Sequence, residues 1–127
     1  MKPIGRPMPT FEAWNVVKVP FPYADRPVRQ RRPALVIAAN DLQASHSLVW
    51  VLMITSAENR SWPSDVLVSD LGAAGLPAPS VVRTAKVAVI DARDAELLGT
   101  LTVGDRRTVS RQVGRHLEEM LKADGSV

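Results

Sequence analysis

Leu48-Val49-Trp50-Val51-Leu52-Met53-Ile54 sets seven apolar residues in an unbroken row, and no other segment restricts the fold as much. A strand with one wet face alternates apolar and polar side chains. This one does not, so both of its faces are expected to be covered, one by a core and the other by a helix or a second subunit. The run predicts a strand over Leu48–Thr55. It also raises a homodimer from the residues alone.

Around that strand the punctuation is regular. Asn15–Pro20 reads as a short strand stopped by Pro20 and Pro22, because proline offers no donor to a ladder. Phe21–Arg32 then reads as a loop of about a dozen residues, and loops that long in compact domains are often functional. Further strands are expected at Ala34–Ala39, Asp65–Val68, Val81–Ile90 and Leu98–Leu101. Gly72–Pro79 reads as a connection. Thr102 and Asp105 have the spacing of a capping box. Val109, Val113, Leu117, Met120 and Leu121 then recur at helical spacing, with Arg106, Arg107, Arg111 and Arg115 off that stripe and facing solvent. Short strands and one terminal helix predict a mainly β fold, a small barrel-like sheet packed by the helix. The expected layout is a flexible Pro-rich leader over residues 1–10 and a single domain over residues 11–124.

A length of 127 residues fits one domain, and 46% hydrophobic with 23% charged residues excludes a wholly disordered chain. The absence of cysteine excludes disulfides and Cys-ligated zinc or iron–sulfur sites. Only His46 and His116 are available as imidazole ligands, so neither a metal nor a cofactor is expected. Met1–Thr10 lacks the apolar run of a signal peptide, and no stretch approaches the ~20 apolar residues of a membrane span. A cytoplasmic protein without membrane association is therefore expected. The net charge is +3, but its distribution says more. Arg26, Arg29, Arg31 and Arg32 fall close together, a concentration that suits a phosphate backbone.

Two blocks of the chain resemble the MazF/PemK (Kid) toxins. The first is Val16-Val17-Lys18-Val19-Pro20-Phe21-Pro22-Tyr23, leading through the arginine-rich segment to Arg31-Arg32-Pro33-Ala34-Leu35-Val36. The second is Ile54-Thr55-Ser56, then Ala74-Gly75-Leu76-Pro77 and Ser80-Val81-Val82-Arg83. Leu98-Gly99-Thr100-Leu101 before a helix is similar to the family's close. No single piece is specific; their order and spacing carry the match, which runs from about Trp14 to Leu121. The resemblance implies an SH3-like barrel, a homodimer, and a toxin that cleaves single-stranded mRNA without metal and so inhibits translation and growth. It implies 2′,3′-cyclic phosphate and 5′-hydroxyl ends, and inhibition by a small acidic antitoxin.

The chemistry asked of such a site is modest. RNA supplies its own nucleophile, the 2′-hydroxyl, so the protein aligns the attack, moves protons and stabilises a crowded phosphorane. Arg32 matches the family's catalytic arginine; its fork of donors fits phosphate oxygens, and a guanidinium is a poor base. Thr55 matches a hydroxyl that partners this arginine, and Ser56 beside it can act likewise or satisfy local backbone. Arg83 matches a second arginine of the PemK/Kid branch. That branch places an aspartate general base two residues later, where this chain has Ala85. Trp14-Asn15 stands where many members read Gly-Asp. Asp25, Glu58 and His46 are the remaining candidates for a base, each with a plainer reading as a surface residue, and His116 reads as structural. Arg29, Arg31 and Tyr23 are expected to bind RNA, Tyr23 by stacking on a base or else by capping the barrel. Lys18 and Lys86 are further possible phosphate contacts. Trp14, Trp50 and Trp62 read as core or interface residues.

Two other readings stay open at this point. One is a barrel of the same kind that binds DNA gyrase without catalysis, as CcdB relatives do. The other is an RNA-binding module that has lost cleavage, which Ala85 keeps in play.

Overall fold

The computed structural model describes residues 10–21 and 30–123. Six strands, β1 (Asn15–Phe21), β2 (Gln30–Ala38), β3 (Leu48–Ser56), β4 (Asp65–Leu67), β5 (Ser80–Asp91) and β6 (Glu96–Thr100), form one sheet in the order β4-β5-β3-β2-β1-β6. Every ladder is antiparallel. Among the described residues three α-helices accompany it, α1 (Asn40–His46), α2 (Leu71–Ala74) and the long closing α3 (Val103–Ala123), with a short 3-10 helix at Ala92–Asp94. This is the expected mainly β architecture with a C-terminal helix. The sheet is not closed: β4 and β6 are its two edges.

The unbroken apolar row of β3 has its cause in two cores, one on each face of the sheet. Successive side chains of a strand point to opposite faces. Val49, Val51 and Met53 join Val17, Val19, Ala34 and Val36 under Phe11, Ala92 and Ala95. Leu52 and Ile54 join Val16, Leu35 and Val82 under Leu76, Leu101 and Val109 of α3. Burying each such side chain contributes on the order of 1.5–3 kcal/mol, so the central strands carry much of the stability. Both faces are thus covered within one chain, one of them by the helix. The row by itself therefore gives no warrant for a second subunit. Trp50 is the exception in it, 44% exposed.

Pro20 does not stop β1 as expected; the strand ends one residue later, at Phe21, and Pro22 lies outside the described residues. β1 runs through Pro20, which pairs with Arg31, and β2 runs through Pro33, which pairs with Lys18. A missing donor is tolerated where a strand has a neighbour on one side only. β6 flanks β1 from Asn15 to Lys18, short of Pro20, and the β2–β3 ladder begins at Ala34, just past Pro33. In consequence Arg31 and Arg32 lie on β2 rather than in a loop. The intervening residues, with Tyr23, Asp25, Arg26 and Arg29 among them, lie outside the described residues, as do residues 1–9 of the expected leader.

The two late family-like segments touch each other. Gly75 ends α2 with φ +71°, where a Cβ would sit 2.1 Å from the Leu98 carbonyl oxygen. A Cβ on Gly99 would sit 2.3 Å from the Ala73 carbonyl oxygen. Only glycine at both positions lets α2 and β6 lie this close. Trp14 has φ +78°, a left-handed conformation that costs a side-chain-bearing residue about 1–2 kcal/mol. The chain keeps a glycine-like backbone there while its indole packs against the Leu52 core.

The capping box is realised in altered form. Thr102 Oγ1 approaches the Asp105 amide at 3.5 Å. The Asp105 carboxylate does not reach back; it accepts from Ser69 N and Oγ at 2.9 and 3.0 Å, tying the helix to the end of β4. The apolar stripe of α3 is buried only in its first half: Val109 is inaccessible, whereas Leu117 and Met120 are exposed. Arg106 departs from its solvent-facing neighbours, donating from Nε to the Leu101 carbonyl at 2.8 Å.

Candidate active site

At the C-terminal end of β3 the strands β2 and β5 flank it on either side. Ala34 pairs with Met53, so two residues further along each strand Arg32 stands across from Thr55. On the other flank Arg83 pairs with Met53 and Val81 with Thr55. Side chains from three strands thereby line one polar cavity of about 230 Å³: Arg32, Thr55, Arg83 and Lys86, joined by Asn59 from the turn after β3. The three residues expected to be catalytic are brought together.

Lys86 arrives through a break in register. Leu52 pairs with Val87 but Met53 pairs with Arg83, so one step along β3 corresponds to four along β5. Thr84, Ala85 and Lys86 form the resulting bulge, a device that re-aims side chains. Lys86 turns into the polar cavity. Thr84 and Ala85 line a different space, an apolar groove of about 620 Å³ between β5 and α3. Thr84 Oγ1 lies 3.1 Å from His116 Nε2 and donates to the Ser64 carbonyl at 2.9 Å. Position 85, where the PemK/Kid branch carries its carboxylate, thus borders the groove and not the cavity.

Arg83 is held firmly. Its Nε and Nη2 donate to Asp65 Oδ1 and Oδ2 at 3.3 and 3.1 Å, and Nη2 donates to the Arg60 carbonyl at 2.7 Å. The Trp62 ring lies against the guanidinium at 4.2 Å. The Arg83 and Asp65 side chains are only 11% and 8% exposed. Asp65 also accepts from the Trp62 amide at 2.9 Å. The charge of Arg83 is thereby balanced by Asp65 within the protein. Thr55 Oγ1 accepts from Asn59 Nδ2 at 2.6 Å. A hydroxyl has a single proton, and with Asn59 filling an acceptor site Thr55 keeps that proton for an acceptor of its own.

Other expected residues are placed elsewhere. Arg31 turns toward β6, donating to the Lys18 carbonyl at 3.3 Å and approaching Glu96 at 3.8 Å. Ser56 borders a neighbouring cavity with Lys18, and its Oγ accepts from the Glu58 amide at 3.2 Å. Glu58 and His46 are exposed and line neither cavity. Trp62 is a surface residue against Arg83 and no part of a core. Tyr23 and Arg29 fall outside the described residues. Asn59 and Asp65 were not anticipated. The four-residue step from Thr55 to Asn59 through a polar turn was a usable signal for the first; nothing in the sequence joins Asp65 to Arg83.

Among the described residues no group of three or more His, Asp or Glu is arranged to hold a metal, and none of their helices is long and apolar enough to cross a membrane.

Comparison with solved structures supports the fold. MazF of Deinococcus radiodurans is 23% identical with a TM-score of 0.68, covering 89% of this chain and 99% of that one. The Mycobacterium tuberculosis toxin MazF-mt6 is 21% identical with a TM-score of 0.64, covering 82% and 96%. An endoribonuclease in complex with its cognate antitoxin from a mycobacterial species is 14% identical with a TM-score of 0.65, covering 87% and 95%. No curated protein sequence matches the chain. The sequence itself matches the family described as PemK-like, MazF-like toxin of type II toxin–antitoxin system over residues 12–120. With that match spanning nearly all of its length, the chain belongs to the PemK-like, MazF-like toxins of type II toxin–antitoxin systems.

Proposed function

We propose that this toxin is a metal-independent endoribonuclease that cuts single-stranded mRNA in the cytoplasm. One observation carries the proposal: Arg32, Thr55, Arg83 and Lys86 converge on a single polar cavity. In the reaction the 2′-oxygen bonds to phosphorus and the bond from phosphorus to the 5′-oxygen breaks. The 2′-hydroxyl gives its proton to a base, and the departing 5′-oxygen takes one up. The products are a 2′,3′-cyclic phosphate and a 5′-hydroxyl. Arg32 and Lys86 contact the phosphoryl oxygens and strengthen as charge grows on them. Thr55, fixed by Asn59, donates to the phosphate, and Arg83, fixed by Asp65, forms a rigid wall beside it.

Incubation with RNA and analysis of both new ends tests this directly. Activity is expected to persist in excess EDTA, because the cavity side chains are cationic or neutral and repel a metal. Loss of activity in EDTA with recovery in magnesium would show a different nuclease. Lys86→Ala is expected to lower kcat by ~10-fold or more, with Lys86→Arg retaining part of the rate. A wild-type rate in Lys86→Ala would remove this residue from the site. Gyrase supercoiling assays are expected to show no effect; inhibition of gyrase with intact RNA would overturn the nuclease proposal.

The protein is proposed to act as a homodimer restrained by a small acidic antitoxin. Support for the dimer comes from exposed apolar residues on one side: Trp50 pairs with Val89 across the β3–β5 ladder, and Val87, Leu117 and Met120 are exposed as well. Such a patch marks interaction sites. Support for the antitoxin comes from the family and from the cationic cavity, where an acidic flexible segment competes with RNA. Light scattering is expected to give twice the chain mass, and Val89→Glu to give a monomer. A monomeric wild type would refute the dimer, and a ternary complex with full RNA affinity would refute the competition.

A further inference from the structure

The proposed reaction breaks the bond from phosphorus to the 5′-oxygen, and an alkoxide leaves poorly unless a proton reaches it as the bond opens. The composition of the polar cavity limits which group can bring that proton. Its polar side chains, among the described residues, are Arg32, Thr55, Asn59, Arg83 and Lys86. A guanidinium does not release its protons in a protein, so Arg32 and Arg83 act by charge and contact alone. The Asn59 amide does not titrate, and a threonine hydroxyl is no stronger an acid than the 5′-alcohol being formed. Asp65 does not line the cavity, and its carboxylate is engaged by Arg83. Lys86 remains, an ammonium with three donors on a flexible stem. We propose that Lys86 is the general acid of this site and hands a proton from Nζ to the departing 5′-oxygen. The inference rests on the proposed endoribonuclease activity and assigns one of its two proton transfers.

The sheet puts Lys86 where such a proton is needed. Displacement in line sets the attacking 2′-oxygen and the leaving 5′-oxygen on opposite sides of phosphorus. β3 lies between β2 and β5, so Arg32 and Lys86 reach the cavity from opposite flanks of Thr55. A phosphate held by Arg32 and Thr55 therefore turns one ester oxygen toward β5. The bulge is what brings Lys86 to it. An unbroken ladder continuing from the Met53–Arg83 pair would set Lys86 opposite Trp50; the break at Leu52 keeps it beside Arg83 instead. Bulges re-aim side chains in this way next to active sites. Lys86 is half-buried, so water reaches it between turnovers. The protons balance. The 2′-hydroxyl releases its proton to water as its oxygen bonds to phosphorus. The electron pair of the breaking bond stays on the 5′-oxygen, which takes the Nζ proton, and water recharges the amine. Three donors let the same ammonium hold a phosphoryl oxygen meanwhile.

The test replaces the bridging 5′-oxygen at one mapped cut by sulfur, because a thiolate leaves without a proton. The full chain is assayed on this RNA and on its oxygen counterpart. The loss in kcat caused by Lys86→Ala is expected to be at least ~10-fold greater on the oxygen RNA than on the sulfur RNA. Arg32→Ala, which removes contacts to the non-bridging oxygens, should instead lose the same factor on both, within ~3-fold. Lys86→Arg keeps bulk and charge but has no proton to give. It should cut the sulfur RNA at close to the wild-type rate and the oxygen RNA several-fold more slowly. Equal losses of Lys86→Ala on the two substrates would overturn the assignment and leave the nuclease standing. Should Lys86→Ala fail to fold, equal rates of Lys86→Arg relative to wild type on both substrates would overturn it as well. A wild type that cuts neither RNA would refute the nuclease proposal, and the role of Lys86 with it.

Discussion

Arg32→Ala is expected to reduce RNA cleavage by ~100-fold or more, the usual loss when one donor to a developing oxyanion is removed. Arg32 stands across from Thr55 on the strand that supplies neither edge of the sheet, and it borders both cavities. Its removal therefore strips charge from the proposed phosphate site without opening a core. Far-UV circular dichroism and melting temperature should stay close to wild type while kcat collapses. Arg32→Lys should recover little, because an ammonium does not reproduce a planar fork on two phosphoryl oxygens. Initial rates on an end-labelled oligonucleotide decide the matter. A folded Arg32→Ala that cuts at the wild-type rate would dismiss Arg32, and with it the proposed arrangement.

Asp65→Ala is expected to be the most destabilising polar substitution at the site. It would leave the Arg83 guanidinium largely buried with its carboxylate gone, and breaking such a pair from one side costs on the order of 3–5 kcal/mol. For a domain of this size the melting temperature should fall by at least ~10 °C. The variant also loses the bond from the Trp62 amide, so the turn leading into β4 loosens with it. Asp65→Asn keeps an acceptor and should be milder. Calorimetry on both variants is the check. A melting temperature for Asp65→Ala within about 2 °C of wild type would mean that the ion pair is dispensable, and that Arg83 is held by Trp62 and the Arg60 carbonyl alone.

The contrast between these two arginines shows where sequence reasoning stops. Arg32 and Thr55 were readable because each belongs to a short motif at the end of an apolar strand, and antiparallel pairing puts those ends side by side. The strands themselves were readable from their Val, Ile and Leu content. Pro20 misled by one residue because its tolerance depends on which side of a strand has a neighbour, and that is a property of the sheet. Residues 81–90 look like one continuous strand, so nothing in their order announces that Thr84, Ala85 and Lys86 bulge out of register against β3. The entry of Lys86 into the cavity was hidden for the same reason. Asp65 and Arg83 are eighteen residues apart in the chain and meet only because β4 pairs with β5. The helix stripe predicted α3 correctly but could not say that packing ends near Val113, since periodicity records which face is apolar and not how far the covered surface extends.

The bulge in β5 has a consequence for how such a toxin can diversify. On one side of it β5 keeps Val87–Asp91 against β3, and on the other side Ser80–Arg83. Each half of the strand has its own alignment, fixed by its own buried partners. A change of residue type at positions 85 and 86 leaves both alignments standing, whereas Thr84 is buried and bonded to the Ser64 carbonyl. New chemistry can therefore be tried within the bulge, at Lys86 facing the cavity and at Ala85 facing the groove, while the core on either side goes on folding unchanged.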